Sequence, residues 1–238
     1  MSALATPARR YEKPRTVLQR ALADAEQRTL HELELVREPL RAAVEAAITG
    51  DQGLVEEVDA QAAEFDRRHG EVHDRLLALI ARQAPVASDL RLAMALLHVN
   101  ERVERMGAQC LNIATLAGEL PDGVRPGSRQ LECLRAMSKL ADMQIGEAAR
   151  VFAERDVDGL RRLRELDSSI NQHNRSCFAL AIDQGDGEAR REAALFVAMM
   201  ARAIERIGDN TVDIGRQTAF VVTGRLRSPL ADHRRNGT

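Results

Sequence analysis

The sequence predicts an all-α protein of two tandem three-helix bundles built from long antiparallel helices. Three observations predict it. Ala, Leu, Arg and Glu dominate, while Val, Ile and Thr never gather into alternating runs, so the residues favour helix and leave no strand candidate. Apolar residues recur at alternating spacings of four and three over long stretches, the signature of packed helices. A twelve-residue motif occurs twice, as VERMGAQCLNIA over Val103–Ala114 and as IERIGDNTVDIG over Ile204–Gly215, 101 residues apart. A repeat of that period makes the chain two copies of one unit.

The elements follow in order. Residues 1–12 lack periodicity and read as a disordered tail. The first predicted helix runs over 14–48, and Pro39 inside it must kink or split it. Gly50 and Asp51 supply a stop and a new cap. The second helix covers 52–82, with Val55, Val58, Ala62, Phe65, Val72, Leu76 and Leu79 on one stripe. Pro85 separates it from the third, 86–119. The run Pro121, Asp122, Gly123, Pro126, Gly127, Ser128 is the clearest loop and marks a linker over 121–128. Helices over 129–155 and 156–184 follow. Gly185, Asp186 and Gly187 break the chain, a last helix covers 188–223, and Gly224 caps it. The repeats are therefore expected at 13–120 and 129–224, with a basic tail over 225–238.

The third and sixth helices carry the duplication most clearly. Leu92, Leu96, Val99, Val103, Met106, Cys110, Ile113 and Ala117 form one seam. Their counterparts are Ala193, Val197, Met200, Ile204, Ile207, Thr211, Ile214 and Thr218. Glu104 and its copy Glu205 stand one residue past a seam position, and Asp209 and Asp213 follow Glu205 at i+4 and i+8. Three carboxylates thus stack along one face, turned away from the seam toward solvent or a groove. Like charges at that spacing cost a helix about 0.2–0.5 kcal/mol per pair, so something offsets them. Arg202–Glu205, Arg206–Asp209 and Asp213–Arg216, all at i,i+3, offer ion pairs. A hard cation offers a second answer, because clustered carboxylate oxygens suit it. Gly107 and Gly208 sit mid-helix at the same motif position, at a cost of about 0.8–1 kcal/mol each against Ala. Either something approaches closely there or the glycines are a relic of duplication.

Several function classes lose support. Net charge is −2 with no Trp and one Tyr, which argues against a nucleic-acid surface. Cys110, Cys133 and Cys177 form no CxxC pair, so no zinc knuckle or redox motif is expected. No P-loop, GxSxG or GxGxxG occurs, which leaves no enzyme argument beyond a carboxylate–metal site able to hydrolyse an ester. His69 and His73 share an i,i+4 face, but His69 lies on the apolar stripe and reads as a hydrogen-bonded core residue. Met1–Arg10 lacks an apolar leader and no 18-residue apolar run exists; the expected compartment is the cytoplasm, without a membrane span.

The motifs, once placed, resemble the signature of the PhoU phosphate-signalling regulators, ERxGD followed by an NIA-like segment, once in each of two repeats. Pro85, Ala87, Asp89, Leu90 and Arg91 resemble the Pro-x-Ala-x-Asp-Leu-Arg element that leads into the first copy. The resemblance covers about residues 15–224. It implies a cytoplasmic negative regulator of phosphate uptake and of the phosphate-starvation response. Such a protein is an adaptor between the ATPase subunit of a phosphate ABC transporter and a sensor histidine kinase, and some members form homodimers. It also implies a metal set of Fe, Zn or Mg type at Glu-x-x-x-Asp plus acids of the preceding helix. Carried over, the set is eroded: Glu205, Asp209 and Asp167 remain in the second repeat, with Asn171 at the other acidic position. In the first repeat Glu104 and Asp66 remain, with Ala108 and Ala62 at the other two. No cofactor is required for an adaptor. Arg91, Glu101, Arg105, Arg202 and Arg206 are the expected partner contacts, beside the motif acids. A carboxylate-cluster metal protein or hydrolase, and a purely structural helical scaffold, are the alternatives; metal analysis and a pull-down of the ATPase or kinase discriminate them.

Overall fold

The computed structural model describes residues 14–121, 123–124, 126–182 and 187–225, and every regular element among them is helical. There are seven: α1 Pro14–Leu35, α2 Arg37–Thr49, α3 Gln52–Gln83, α4 Ala87–Gly118, α5 Ser128–Ala153, α6 Gly159–Ile182 and α7 Glu188–Thr223. The expected tails, and the break at Gly185 and Asp186, fall outside the described residues.

The first expected helix is two. The break lies at Val36, three residues before Pro39. A proline ring clashes with the carbonyl four residues back, so Pro39 is tolerated only in the first turn of a new helix, and the chain divides ahead of it. Local chemistry fixes the next corner. Gly50 ends α2 at φ 75°, in the left-handed region, and the Asp51 side chain accepts from the Gly53 amide at 2.9 Å to start α3. Gly224 ends α7 the same way at φ 72°. At the α5–α6 corner Asp156 accepts from the Gly159 amide at 3.1 Å and pairs with Arg150 at 2.9 Å. That capping carries α6 in at Gly159, three residues later than the sequence pattern suggests.

α4 and α7 are the twin central helices and make the most extensive contact in the molecule. α1, α2 and α3 pack around α4, while α5 and α6 pack around α7. Both seams are buried along their length apart from the partly exposed Leu92. α7 buries small residues nearly all round, including Ala194, Ala198, Ala201, Ala203, Gly208 and Gly215. Small side chains let three neighbours approach one helix.

The halves share one core. A single apolar cluster runs from Leu33 in α1 through Met106 in α4 to Phe152 in α5 and Ile214 in α7. Ion pairs cross the same boundary: Arg37 holds Asp142 bidentately at 2.9 and 3.0 Å, and Arg155 reaches Glu26 at 2.7 Å. Arg102 stands 3.5 Å from Asp213. The sequence picture of two bundles side by side therefore holds for helix grouping, while the interior is continuous. Among the described residues no helix is long and apolar enough to cross a membrane.

Candidate functional site

In the second repeat the motif face is covered. α6 lies over it, so Glu205 is only 7 % exposed. The expectation of a ridge turned toward solvent or a groove is corrected at its first acid: α6 packs on α7 and Glu205 is buried, while Asp209, one turn on, stays exposed. Glu205 is tied to Arg202 through one oxygen, and its other oxygen, Oε2, is buried without a partner. From α6, Asp167 accepts from Asn171 at 3.0 Å, and its Oδ1 is also buried and without a hydrogen bond. From α5, the fully buried Gln144 donates to the Leu163 carbonyl at 3.0 Å and leaves its Oε1 unpaired. Gln144 Oε1 and Asp167 Oδ1 both lie over Gly208, 3.0 and 3.2 Å from where a Cβ would stand.

Electrostatics follow from that burial. Desolvation first, then the neighbouring charges of Asp209 and Glu205, push Asp167 up to about 6, with Arg216 opposing. Glu205 is raised by desolvation and by Asp209, against Arg202. Asp209 is raised by desolvation, although its side chain is exposed, and by the charge of Asp213, with Arg202 and Arg216 opposing. Burial and neighbouring negative charge, with unpaired oxygens on Asp167 and Glu205, favour a proton here. Asp213 does not join them; it pairs with Arg216 and Arg102 because its side of α7 meets α4. Of the three expected i,i+3 pairs, Arg202–Glu205 and Arg216–Asp213 form.

The first repeat keeps the slot and changes its contents. Gly107 again faces the neighbouring helix, here α3, and Phe65 presses on it. Glu104 and Asp66 line a groove of about 350 Å³ together with Pro39, Ala62, Phe65 and Ala108. Two acids separated by apolar residues do not make a metal site. Among the described residues no three His, Cys, Asp or Glu side chains stand close enough to hold one metal ion. The second repeat is richer in oxygens, from Asp167, Glu205, Asp209 and Gln144, than the first, but no three of its acids stand within reach of one ion either.

The remaining candidates are dispersed. Arg91 lies against Gly224 at the C-terminal end of α7, where a cation suits the exposed carbonyls. Glu101 is 3.9 Å from His98. Arg105, Arg202 and Arg206 are exposed. His69 is not a satisfied core residue: both His69 and His73 are half-buried and leave a buried Nδ1 unpaired, and the nearby Asn100 amide donates to the His69 carbonyl at 3.0 Å instead of to the ring. Sequence reasoning missed Gln144 and Arg102. Gln144 carried a signal of its own, as a polar residue among the apolar positions of its helix.

The two glycines now separate experimentally. An alanine at position 208 meets Gln144 and Ile170, both with no exposed surface. Overpacking of about 1–3 kcal/mol outweighs the helix gain of about 1 kcal/mol, so Gly208→Ala is expected to destabilise. In Gly107→Ala the Cβ meets the Phe65 ring at 2.7 Å, but Phe65 is half-exposed beside an open groove and swings aside. That variant is expected within ~0.5 kcal/mol of the parent, the helix gain offsetting the shift. Urea unfolding of both variants checks this, and equal losses would contradict it.

Comparison with known proteins agrees with this geometry. The family model described as the PhoU domain matches twice, over residues 29–117 and 134–218. A Mycobacterium tuberculosis protein named phosphate-specific transport system accessory protein PhoU homolog 1 is 29 % identical over 214 residues, covering 89 % of this chain and 96 % of its own. A Thermotoga maritima protein of the same name is 26 % identical, covering 81 % and 83 %. The crystal structure of PhoU from Pseudomonas aeruginosa superposes with a TM-score of 0.78 at 23 % identity, over 87 % of this chain and 99 % of that one. The corresponding protein of Streptococcus pneumoniae gives 0.78 at 20 % identity, over 89 % and 99 %. With two matched domains spread over both halves and a shared arrangement of helices, the chain belongs to the PhoU family.

Proposed function

We propose that this protein is a regulatory accessory protein of phosphate-specific transport, acting as an adaptor on the cytoplasmic side. It contacts the ATPase subunit of the transporter and the sensor kinase of the phosphate response, and it performs no chemistry. The observation that carries the reading is the pair of PhoU domains, together with relatives named as transport accessory proteins over nearly their whole length. The geometry supports it in one respect: Arg105, Arg202 and Arg206 of the motifs are exposed, so charged contacts are available on both repeats. Glu205, buried under α6, is not available for such contacts.

The test replaces exposed groups only. Arg105→Ala with Arg206→Ala in a folded chain is expected to derepress a phosphate-starvation reporter at least fivefold in phosphate-rich medium. The same change is expected to weaken recovery of the ATPase or kinase in a pull-down. A reporter that stays repressed, with recovery intact, would sink the adaptor reading.

A second reading has its own observation: the unpaired oxygens of Asp167 and Gln144 over Gly208, with Glu205 Oε2 also unpaired. A hard divalent cation on the second repeat would have to draw these groups together, since among the described residues no three acids stand within reach of one ion. Calorimetric titration of the metal-free protein with Mg²⁺ or Mn²⁺ tests it, and the absence of heat in the parent would remove it.

A further inference from the structure

The two repeats present the same slot with opposite chemistry. In the second, the polar groups of Gln144 and Asp167 face Gly208. In the first, the groove beside Gly107 is floored by Pro39, Val58, Ala62, Phe65 and Leu111, with Ala108 at its edge. The motif repeat pairs Ala108 with Asp209, and the family resemblance puts Ala62 at the acidic position that Asp167 holds in the other repeat. Loss of those carboxylates removed both polar groups and volume, and a groove of about 350 Å³ is open there. That is room for one large apolar side chain with part of its backbone.

The rim is acidic. Glu38, Glu64, Asp66 and Glu104 border the groove, against Arg68 alone. Glu64 is spent on Arg67 and Arg68, at 2.7 Å each. Glu38, Asp66 and Glu104 form no ion pair or side-chain hydrogen bond among the described residues. Three carboxylates without an ion pair around an apolar floor complement a cationic partner.

We propose that this groove is a docking site for a basic segment of a partner protein, one large apolar side chain seated on Phe65 and Leu111 and flanking Lys or Arg paired with Glu38, Asp66 and Glu104. The site deepens the adaptor reading by assigning a face and a partner chemistry to the first repeat. The second repeat, whose slot is polar, is excluded from this mode. Charge complementarity chooses the occupant: an acidic peptide is repelled, and an uncharged apolar one leaves the rim unpaired. The anchor supplies affinity and the rim supplies orientation, the usual division in such sites.

The full chain is titrated with a fluorescein-labelled 14-residue peptide of Ala, Lys and Arg carrying one central Phe. Two controls are used: the same peptide with Phe→Ala, and one with Glu at every basic position. Binding is expected for the first, at least tenfold weaker for the second, and absent for the third. Ala108→Met, compatible with helix and placed to fill the groove, is expected to weaken the first peptide at least tenfold. The triple change Glu38→Gln, Asp66→Asn, Glu104→Gln is expected to weaken it about fivefold and to flatten its salt dependence. Thermal melts of both variants establish that they fold. Equal binding of the Phe and Ala peptides, failure of all three to bind, or indifference to Ala108→Met overturns the proposal. So does a parent that is dimeric by light scattering and that Ala108→Met renders monomeric, because the occupant is then a second copy. Peptide binding with an unresponsive phosphate reporter sinks the adaptor reading and leaves the site standing; the converse leaves the adaptor and removes the site.

Discussion

Phe152→Ala is expected to cost about 3–5 kcal/mol, the range for emptying a fully buried aromatic site. Phe152 has no exposed surface and belongs to the cluster that runs through both halves. Its ring also lies 4.9 Å beneath the Arg155 guanidinium, which in turn holds Glu26 of α1. For a chain of this length that loss lowers the melting temperature by about 6–20 °C. The informative part is where the loss appears. Because the core is continuous, amides of α3 and α4 in the first repeat are expected to lose exchange protection together with those of α5–α7. Retained protection in α3 alongside loss in α6 would show that the halves unfold independently, and the shared core would have to be given up.

Asp167→Asn is expected to stabilise the protein at pH 7 and to remove part of its pH dependence. In the native state Asp167 stands at about 6, above the ordinary aspartate value of about 3.9. The folded chain thus binds that proton more tightly than the unfolded chain. Its contribution is most favourable at the acid end of the window, declines as pH rises from about 4 to about 6, and stays lost above. Glu205 and Asp209 are raised by the same burial and act in the same sense. Carboxylates held by arginine act oppositely: Asp156 and Glu64, each lowered to about 2, protect the fold until the pH falls below about 4. A stability maximum between about 4 and 6 is the consequence. Asn keeps the shape and drops the charge, so the variant is expected to gain about 1 kcal/mol at pH 7, discounted because the group is half-exposed. Denaturant unfolding at pH 5 and pH 7 reads both terms. A parent whose stability is the same at the two pH values, or an Asn variant weaker at both, would contradict the assignment. If a divalent cation binds there, its addition should stabilise the parent and leave the variant unmoved.

Much of this architecture was legible before any coordinates. The Gly50–Asp51 corner, the Gly224 cap and the two seams are each written within a few adjacent residues. Cys110, placed on the seam by its spacing, is 1 % exposed. The duplicated motif located the helix pair that carries the candidate site. Pro39 announced a break, but its position at Val36 depended on where the ring could be tolerated.

By itself the sequence determined the helices, their caps, the pairing of the repeats and the family, because each signal is local or periodic along one chain. Tertiary structure alone decided which face of each motif is covered. Glu205 is buried because α6 arrives over it with Asp167, and Gln144 of α5 closes the same slot. Glu104, its copy, borders an open groove because Ala62 and Phe65 arrive instead. Two copies of one motif thus end in different environments. The side chains that make the difference come from other helices, and no spacing within the motif encodes the packing that brings them together.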